Sequence, residues 1–270
     1  MLRTAAADVA RLLVPVECPG CGEPDVRLCT ECAAAWWGPP LRVETAAPRL
    51  DVHDEQSMPV WACVPLDGAE DALVRAWKDG GRRDLDRWLA RAMRRAALDA
   101  ARGWCEVHEV TVVPAPARAA GTRRRGADLP AILAHGVAAG LVDAGLDARV
   151  ERSLRIGQGD SRGRSARQRW RGAHGGVVTT RSLSGPMVLV DDVVTTGATL
   201  AASARALERA GGAAIGAFVA AAAVRARAVP AGGLLWEQDD DESHLRGRGG
   251  DAAGAEGAAV TLPRPHGRTR

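Results

Sequence analysis

Apolar residues in this chain fall into two spacings, and each predicts its own kind of element. Residues 60–66, 110–113 and 213–224 read as strands, and the unbroken apolar run at 187–190 reads as one buried on both faces, the form taken inside a parallel sheet. Between them, residues 69–77, 85–98, 127–141 and 198–210 carry apolar positions at helical spacing, as in Leu85, Trp88, Leu89, Ala92, Met93 and Ala96. Gly211 and Gly212 stop the last of these helices. Strand and helix alternate, which predicts a doubly wound α/β fold whose ligand binds at the carboxyl ends of its strands. Residues 39–58 are rich in Pro and charge with weak periodicity and are expected to be a linker. Beyond about residue 225 Gly, Ala, Arg and Pro dominate around an acidic run, which predicts a disordered tail.

One βαβ unit in this pattern carries chemistry. The strand at 187–190 ends on Asp191 and Asp192, and two adjacent carboxylates need a cation or several donors to offset their repulsion and desolvation. Ribose hydroxyls and a divalent cation would supply both. Thr195, Thr196, Gly197, Ala198 and Thr199 follow, with three hydroxyls, little bulk and the first amides of a helix, a natural phosphate cradle. Each residue alone could be an ordinary turn or cap. Together they favour a sugar-phosphate site. No GxGxxG follows a strand and no GxxxxGK[ST] is present, which argues against dinucleotide and P-loop binding.

Near the amino terminus Cys18, Cys21, Cys29 and Cys32 form two CxxC knuckles joined by seven residues. This pattern suits tetrahedral structural zinc, with four sulfurs leaving no open position for catalysis. A pair of disulfides is the competing reading and needs an oxidising compartment. The short apolar stretch after Arg3 contains Asp8 and Arg11, so a signal peptide is not expected, and no run reaches membrane-spanning length. Zinc and a cytoplasmic location are therefore the expectation. Cys63 and Cys105 are isolated and read as buried small hydrophobes.

The chain of 270 residues is long enough for one principal domain with appendages, and its net charge of +3 does not by itself imply nucleic acid. Charge is concentrated at residues 149–171, where eight arginines face only Glu151 and Asp160. Gly157, Gly159 and Gly163 interrupt that stretch, so it reads as a loop. It could be a lid over departing pyrophosphate, a nucleic-acid contact or a solvated surface. Lys78, in AWKDGG, is the only lysine in the chain and reads equally as a phosphate contact or a solvated helix end.

Residues 188–200, VLVDDVVTTGATL, resemble the phosphoribosyl pyrophosphate motif of type I phosphoribosyltransferases. Residues 110–116 end a strand on Pro114-Ala115-Pro116, and an arginine-rich box closes on Arg125-Gly126. Together with the four cysteines upstream, that order of motifs resembles the ComF family of phosphoribosyltransferase-like proteins over about residues 12–224. Where the family reads RGFNQ, this chain reads Arg125, Gly126, Ala127, Asp128 and Leu129.

The resemblance implies a parallel sheet of the type I phosphoribosyltransferase kind with a zinc-ribbon-like module. It divides the chain into an N-terminal helix and zinc module at 1–38, a linker at 39–58, a phosphoribosyltransferase-like domain at 59–226 and a tail at 227–270. It implies that Asp191 and Asp192 hold the ribose hydroxyls and that Thr195 to Thr199 wrap the 5′-phosphate. Pro114 to Pro116 and Arg125 would form a pyrophosphate loop, and Lys78, which resembles the family's lysine before a glycine, would be a further substrate-binding residue, with Mg²⁺ accompanying phosphoribosyl pyrophosphate. Transfer of ribose 5-phosphate to an acceptor is the leading expectation. The alternatives are a non-catalytic competence protein engaging single-stranded DNA or a protein partner, and a phosphoribosyl pyrophosphate sensor.

Overall fold

The computed structural model describes residues 16–50, 58–104, 106–117, 119–157 and 176–223. The predicted N-terminal helix, the predicted tail, Cys105 and residues 158–171 of the arginine-rich stretch lie outside the described residues.

A six-stranded, mostly parallel sheet forms the centre, in the order β1-β2-β8-β7-β3-β4. Its strands are β1 (Leu41–Arg42), β2 (Val60–Pro65), β3 (Glu109–Pro114), β4 (Asp147–Val150), β7 (Gly185–Val194) and β8 (Gly212–Ala222). Only β1 runs antiparallel to its neighbour. A two-stranded ribbon of β5 (Leu154–Ile156) and β6 (Val177–Thr179) stands apart from it. The strand cores Val60 to Val64 and Met187 to Val190 are buried throughout, as unbroken apolar runs require.

Helices cover both faces. On one lie α2 (Gly68–Lys78), α3 (Asp86–Ala101) and α5 (Leu129–Asp143), in one apolar cluster with Trp61, Val188, Val190 and Phe218. On the other lies α6 (Ala198–Arg209), whose Leu200, Ala204 and Leu207 pack with Met187, Leu189 and Val219. Helices α3 and α5 approach closely because Gly136 and Gly140 carry no Cβ; one added at either would strike the carbonyl of Ala90 or Arg94. Two short helices, α1 (Thr30–Ala34) and α4 (Ala119–Arg125), are the others among the described residues.

Two expectations change. Residues 39–50 are packed chain: β1 pairs with Ala62 and Trp61, and Val43, Ala47 and Leu50 are buried against the α6 face. Their scattered apolar residues had no period to betray them, because a strand of two residues and a single 3₁₀ turn are too short to show one. The arginine-rich stretch is likewise partly structured. Residues 147–150 extend the sheet beside β3, and Gly157 N–H bonds to the Gly176 carbonyl at 2.8 Å.

Candidate functional site

Strands β3 and β7 are neighbours, yet the chain leaves them in opposite directions. From β3 it passes over the α5 face to β4, and from β7 it passes over the α6 face to β8. Such a switch opens a crevice at the carboxyl ends of the two strands. The last β3 residue, Pro114, pairs with Val190, and the Ala115 N–H still bonds to the Val190 carbonyl at 2.7 Å. Beyond that point β7 continues with β8 alone, Asp191 opposite Val219 and Val193 opposite Ala221. The acids therefore lie within the last residues of β7, past the end of its other neighbour.

The acids differ in their surroundings. The Lys78 ammonium, at the last residue of α2, lies 2.7 Å from Asp192 Oδ2, and Asp192 is buried while Asp191 stays partly exposed. Strict alternation ends here, since Val193 packs with the α2-face cluster and Val194 with the α6-face one. Each carboxylate also accepts the next backbone N–H at 2.8 Å, Asp191 from Asp192 and Asp192 from Val193. Burial and the adjacent Asp192 charge push the Asp191 carboxyl up to about 8, against the pull of the Asp192 N–H and Lys78. With the crevice unliganded, Asp191 therefore keeps its proton to a higher pH than an ordinary carboxyl. The cation that the paired acids demand is in part Lys78.

The loop after the acids is held from below. Gly197 has φ +75° and is buried; a Cβ there would lie 3.0 Å from that of Ala47 and 3.1 Å from that of Leu50. The Arg49 N–H bonds to the Thr196 carbonyl at 2.8 Å. Residues 47–50 thereby brace the turn while Thr195, Thr196 and Thr199 stay exposed at the start of α6. Those first amides lack carbonyl partners within the helix, and their dipole favours an anion. Arg49 also joins Arg205 and Arg209 around a cavity of about 380 Å³ along α6.

Arg125 does not reach the acids directly. Its guanidinium lies 3.9 Å from Asp79, which Arg124 also contacts at 3.2 Å. The end of α4 is thus tied to the residue after Lys78. Pro114 to Pro116 line a cavity of about 240 Å³ with Asp128, Arg152 and Arg155, and Arg152 forms an ion pair with Asp128. Asp128 also caps α5 by accepting the Ala131 N–H.

The four cysteines converge. Their sulfurs lie within 4.8 Å of one another, with Cys18 to Cys29 and Cys21 to Cys29 both at 3.7 Å. Zn–S bonds of about 2.3 Å place tetrahedral sulfurs roughly 3.8 Å apart, whereas a disulfide needs about 2.05 Å. The local chain makes this geometry. Gly22 at φ +79° turns the first knuckle, Cys29 caps α1 by accepting the Cys32 N–H, and a Cβ on Gly20 would come 2.7 Å from the Cys32 sulfur. Burial opposes ionisation of Cys18, but N–H groups of Cys29, Cys21 and Gly20 outweigh it and bring the thiol down to about 6. Burial and the surrounding thiols push Cys32 up. A dication would remove that conflict, so the residues fit a structural metal such as zinc. Cys63 is buried against Met93 as a small hydrophobe.

Sequence reasoning missed two contributors: Asp79 and the 47–50 brace. Their partners are too remote along the chain to leave a local signal. Among the described residues, no helix is long and apolar enough to cross a membrane. No protein-family model matches the chain, and no curated protein matches it.

Proposed function

We propose that the chain binds phosphoribosyl pyrophosphate with Mg²⁺ at the β3/β7 crevice and transfers ribose 5-phosphate to a nucleophilic acceptor. One observation carries this reading. The acid pair sits at a topological switch point, directly before a braced, hydroxyl-rich turn that opens α6. Asp191 and Asp192 would hold the ribose hydroxyls, Asp191 able to donate as well as accept while protonated. Residues 195–199 would take the 5′-phosphate. In the transfer, the anomeric C–O bond breaks with its electron pair leaving on pyrophosphate, and the acceptor's lone pair forms the new bond as its proton is lost to solvent. Mg²⁺ would neutralise charge on the leaving pyrophosphate. The protein's share would be positioning and electrostatics.

Calorimetry with phosphoribosyl pyrophosphate and Mg²⁺, on the wild type and on Asp191→Ala with Asp192→Ala, tests binding. The wild type should bind and the double variant should not; equal binding, or none by either, refutes the site. Pyrophosphate release across a panel of nucleobases and small amines then separates an enzyme from a binder. Binding without turnover would mark a sensor.

The three arginines along α6 favour a second reading, a non-catalytic protein of the ComF kind engaging single-stranded DNA. Salt-dependent DNA binding that is lost on neutralising Arg49, Arg205 and Arg209, yet survives removal of the two acids, would establish it.

A further inference from the structure

We propose that Arg82 is the positioning residue through which the four-cysteine module sets Lys78 against Asp192, so that the bound metal governs the cation facing the acid pair. The consequence for substrate rests on the proposed function; the clamp itself does not.

The module touches α2 at both ends. At the start of the helix, Ala69 packs beside Val26 and Leu28 in the small cluster around Cys18, Cys29 and Cys32. Past its end, Gly81 at φ +73° turns the chain so that Arg82 faces back. The Arg82 guanidinium then spans the module, Nη1 donating to the Glu17 carbonyl at 3.2 Å and Nη2 to the Arg27 carbonyl at 2.7 Å. Glu17 directly precedes Cys18, and Arg27 lies two residues before Cys29. One planar fork therefore reads the spacing between the two knuckles. Asp84 holds that fork in place by accepting from Nε and Nη2, each at 2.8 Å.

This clamp acts on Lys78 through the backbone. The Arg82 N–H bonds to the Ala76 carbonyl at 3.2 Å, and the N–H groups of Asp79 and Gly80 bond to the Arg75 carbonyl at 2.8 and 3.1 Å. Fixing Arg82 thus fixes the last turn of α2, where Lys78 sits. Arg83, bonded to the Trp77 carbonyl, and Arg124, paired with Asp79, hold the same turn from other sides, so losing Arg82 loosens this end without unfolding it. The Lys78 side chain keeps 31% of its surface exposed, and an ion pair that open to water is too weak to order a four-carbon side chain by itself. If the metal leaves, the knuckles separate, the two carbonyls move apart, and the fork can no longer bond both.

Lys78 is the only lysine in the chain, so its amine can be followed by mass spectrometry during mild acetylation of the full-length, zinc-loaded protein. Asp192→Asn sets the rate for a lost pair. Chelation of the metal and Arg82→Gln should each raise the wild-type rate about threefold or more toward that value, as expected when a helix end loses its anchors. Chelation should add nothing in Arg82→Gln. Asp84→Asn, which loosens the fork but leaves both carbonyls in place, should raise the rate by a smaller factor.

Circular dichroism on each sample separates this effect from unfolding. Arg94→Gln, whose ion pair with Asp143 joins α3 to α5, should leave the rate unchanged. Unchanged Lys78 reactivity after both chelation and Arg82→Gln overturns the proposal, and so does a wild-type rate equal to that of Asp192→Asn. Calorimetry with phosphoribosyl pyrophosphate is a separate arm. No binding there with Lys78 protection intact would refute the substrate and leave the clamp standing.

Discussion

Replacing Asp191 by Asn should stabilise the unliganded protein in alkali and do little in acid. The perturbation is nearly isosteric, and the amide oxygen can still accept the Asp192 N–H that Asp191 accepts at 2.8 Å. The native carboxyl is pushed from 3.8 to about 8 by burial and by Asp192, so folding favours its protonated form. The sign follows from linkage. Between about pH 4 and pH 8 the unfolded chain has released this proton and the folded chain has not, so wild-type stability falls as pH rises across that window. At about 1.4 kcal/mol per unit, the displacement bounds the effect at roughly 6 kcal/mol. Asp191 retains some contact with water, and screening there reduces the expectation to about 2–3 kcal/mol.

Urea denaturation followed by tryptophan fluorescence is a suitable assay, since Trp36 and Trp77 are fully buried. At pH 4, near the ordinary carboxyl value, the variant and wild type should agree closely. At pH 9 the variant should be the more stable by that margin, because its neutral amide also relieves the repulsion on Asp192. Parallel stability curves from pH 5 to pH 9 would refute the inference that Asp191 is held protonated.

Three other outcomes are expected. Cys32→Ser should lose the roughly stoichiometric zinc that the wild type carries, measured by elemental mass spectrometry, and should unfold at lower denaturant; a wild type purified without metal would contradict the site. Gly140→Val should cost about 2–4 kcal/mol in the same denaturation assay, because its side chain would meet the Arg94 carbonyl and the Ala97 Cβ where α3 and α5 touch; a neutral result would mean these helices can separate. Gly197→Ala should cost about 1–2 kcal/mol through its left-handed backbone and its contact with Ala47 and Leu50. That variant should also weaken phosphate-ester binding in calorimetry more than Thr199→Ala does, and the reverse order would show that the hydroxyl, not the turn, makes the cradle.

Much of the fold was legible because burial on both faces leaves a local trace. The runs at 110–113 and 187–190 lie in β3 and β7, and the helical spacing of Leu85 to Ala96 corresponds to α3 with one residue difference at its start. Boundaries were less legible. The run at 187–190 gave no hint that β7 continues through Val194, since that extension depends on β8 being long enough to pair with Asp191 and Val193. The brace at 47–50 was hidden for a similar reason: Ala47 and Leu50 are buried only because Gly197, some 150 residues later, turns against them.

Local chemistry is what the sequence by itself determined: which segments become strands and helices, that four thiols share one short segment, and that two acids precede a hydroxyl-rich turn. These follow from periodicity and spacing, interactions that act over a few residues. The tertiary structure alone decided what the acids meet. Chain crossover brings Lys78 to Asp192, while burial and the neighbouring charge raise the Asp191 carboxyl, so two adjacent, identical side chains acquire different surroundings. The same packing laid Arg82 across the cysteine knuckles, joining two sites that the sequence presents as separate. Burial and Coulomb interaction depend on distance in space, and only the folded chain sets that distance.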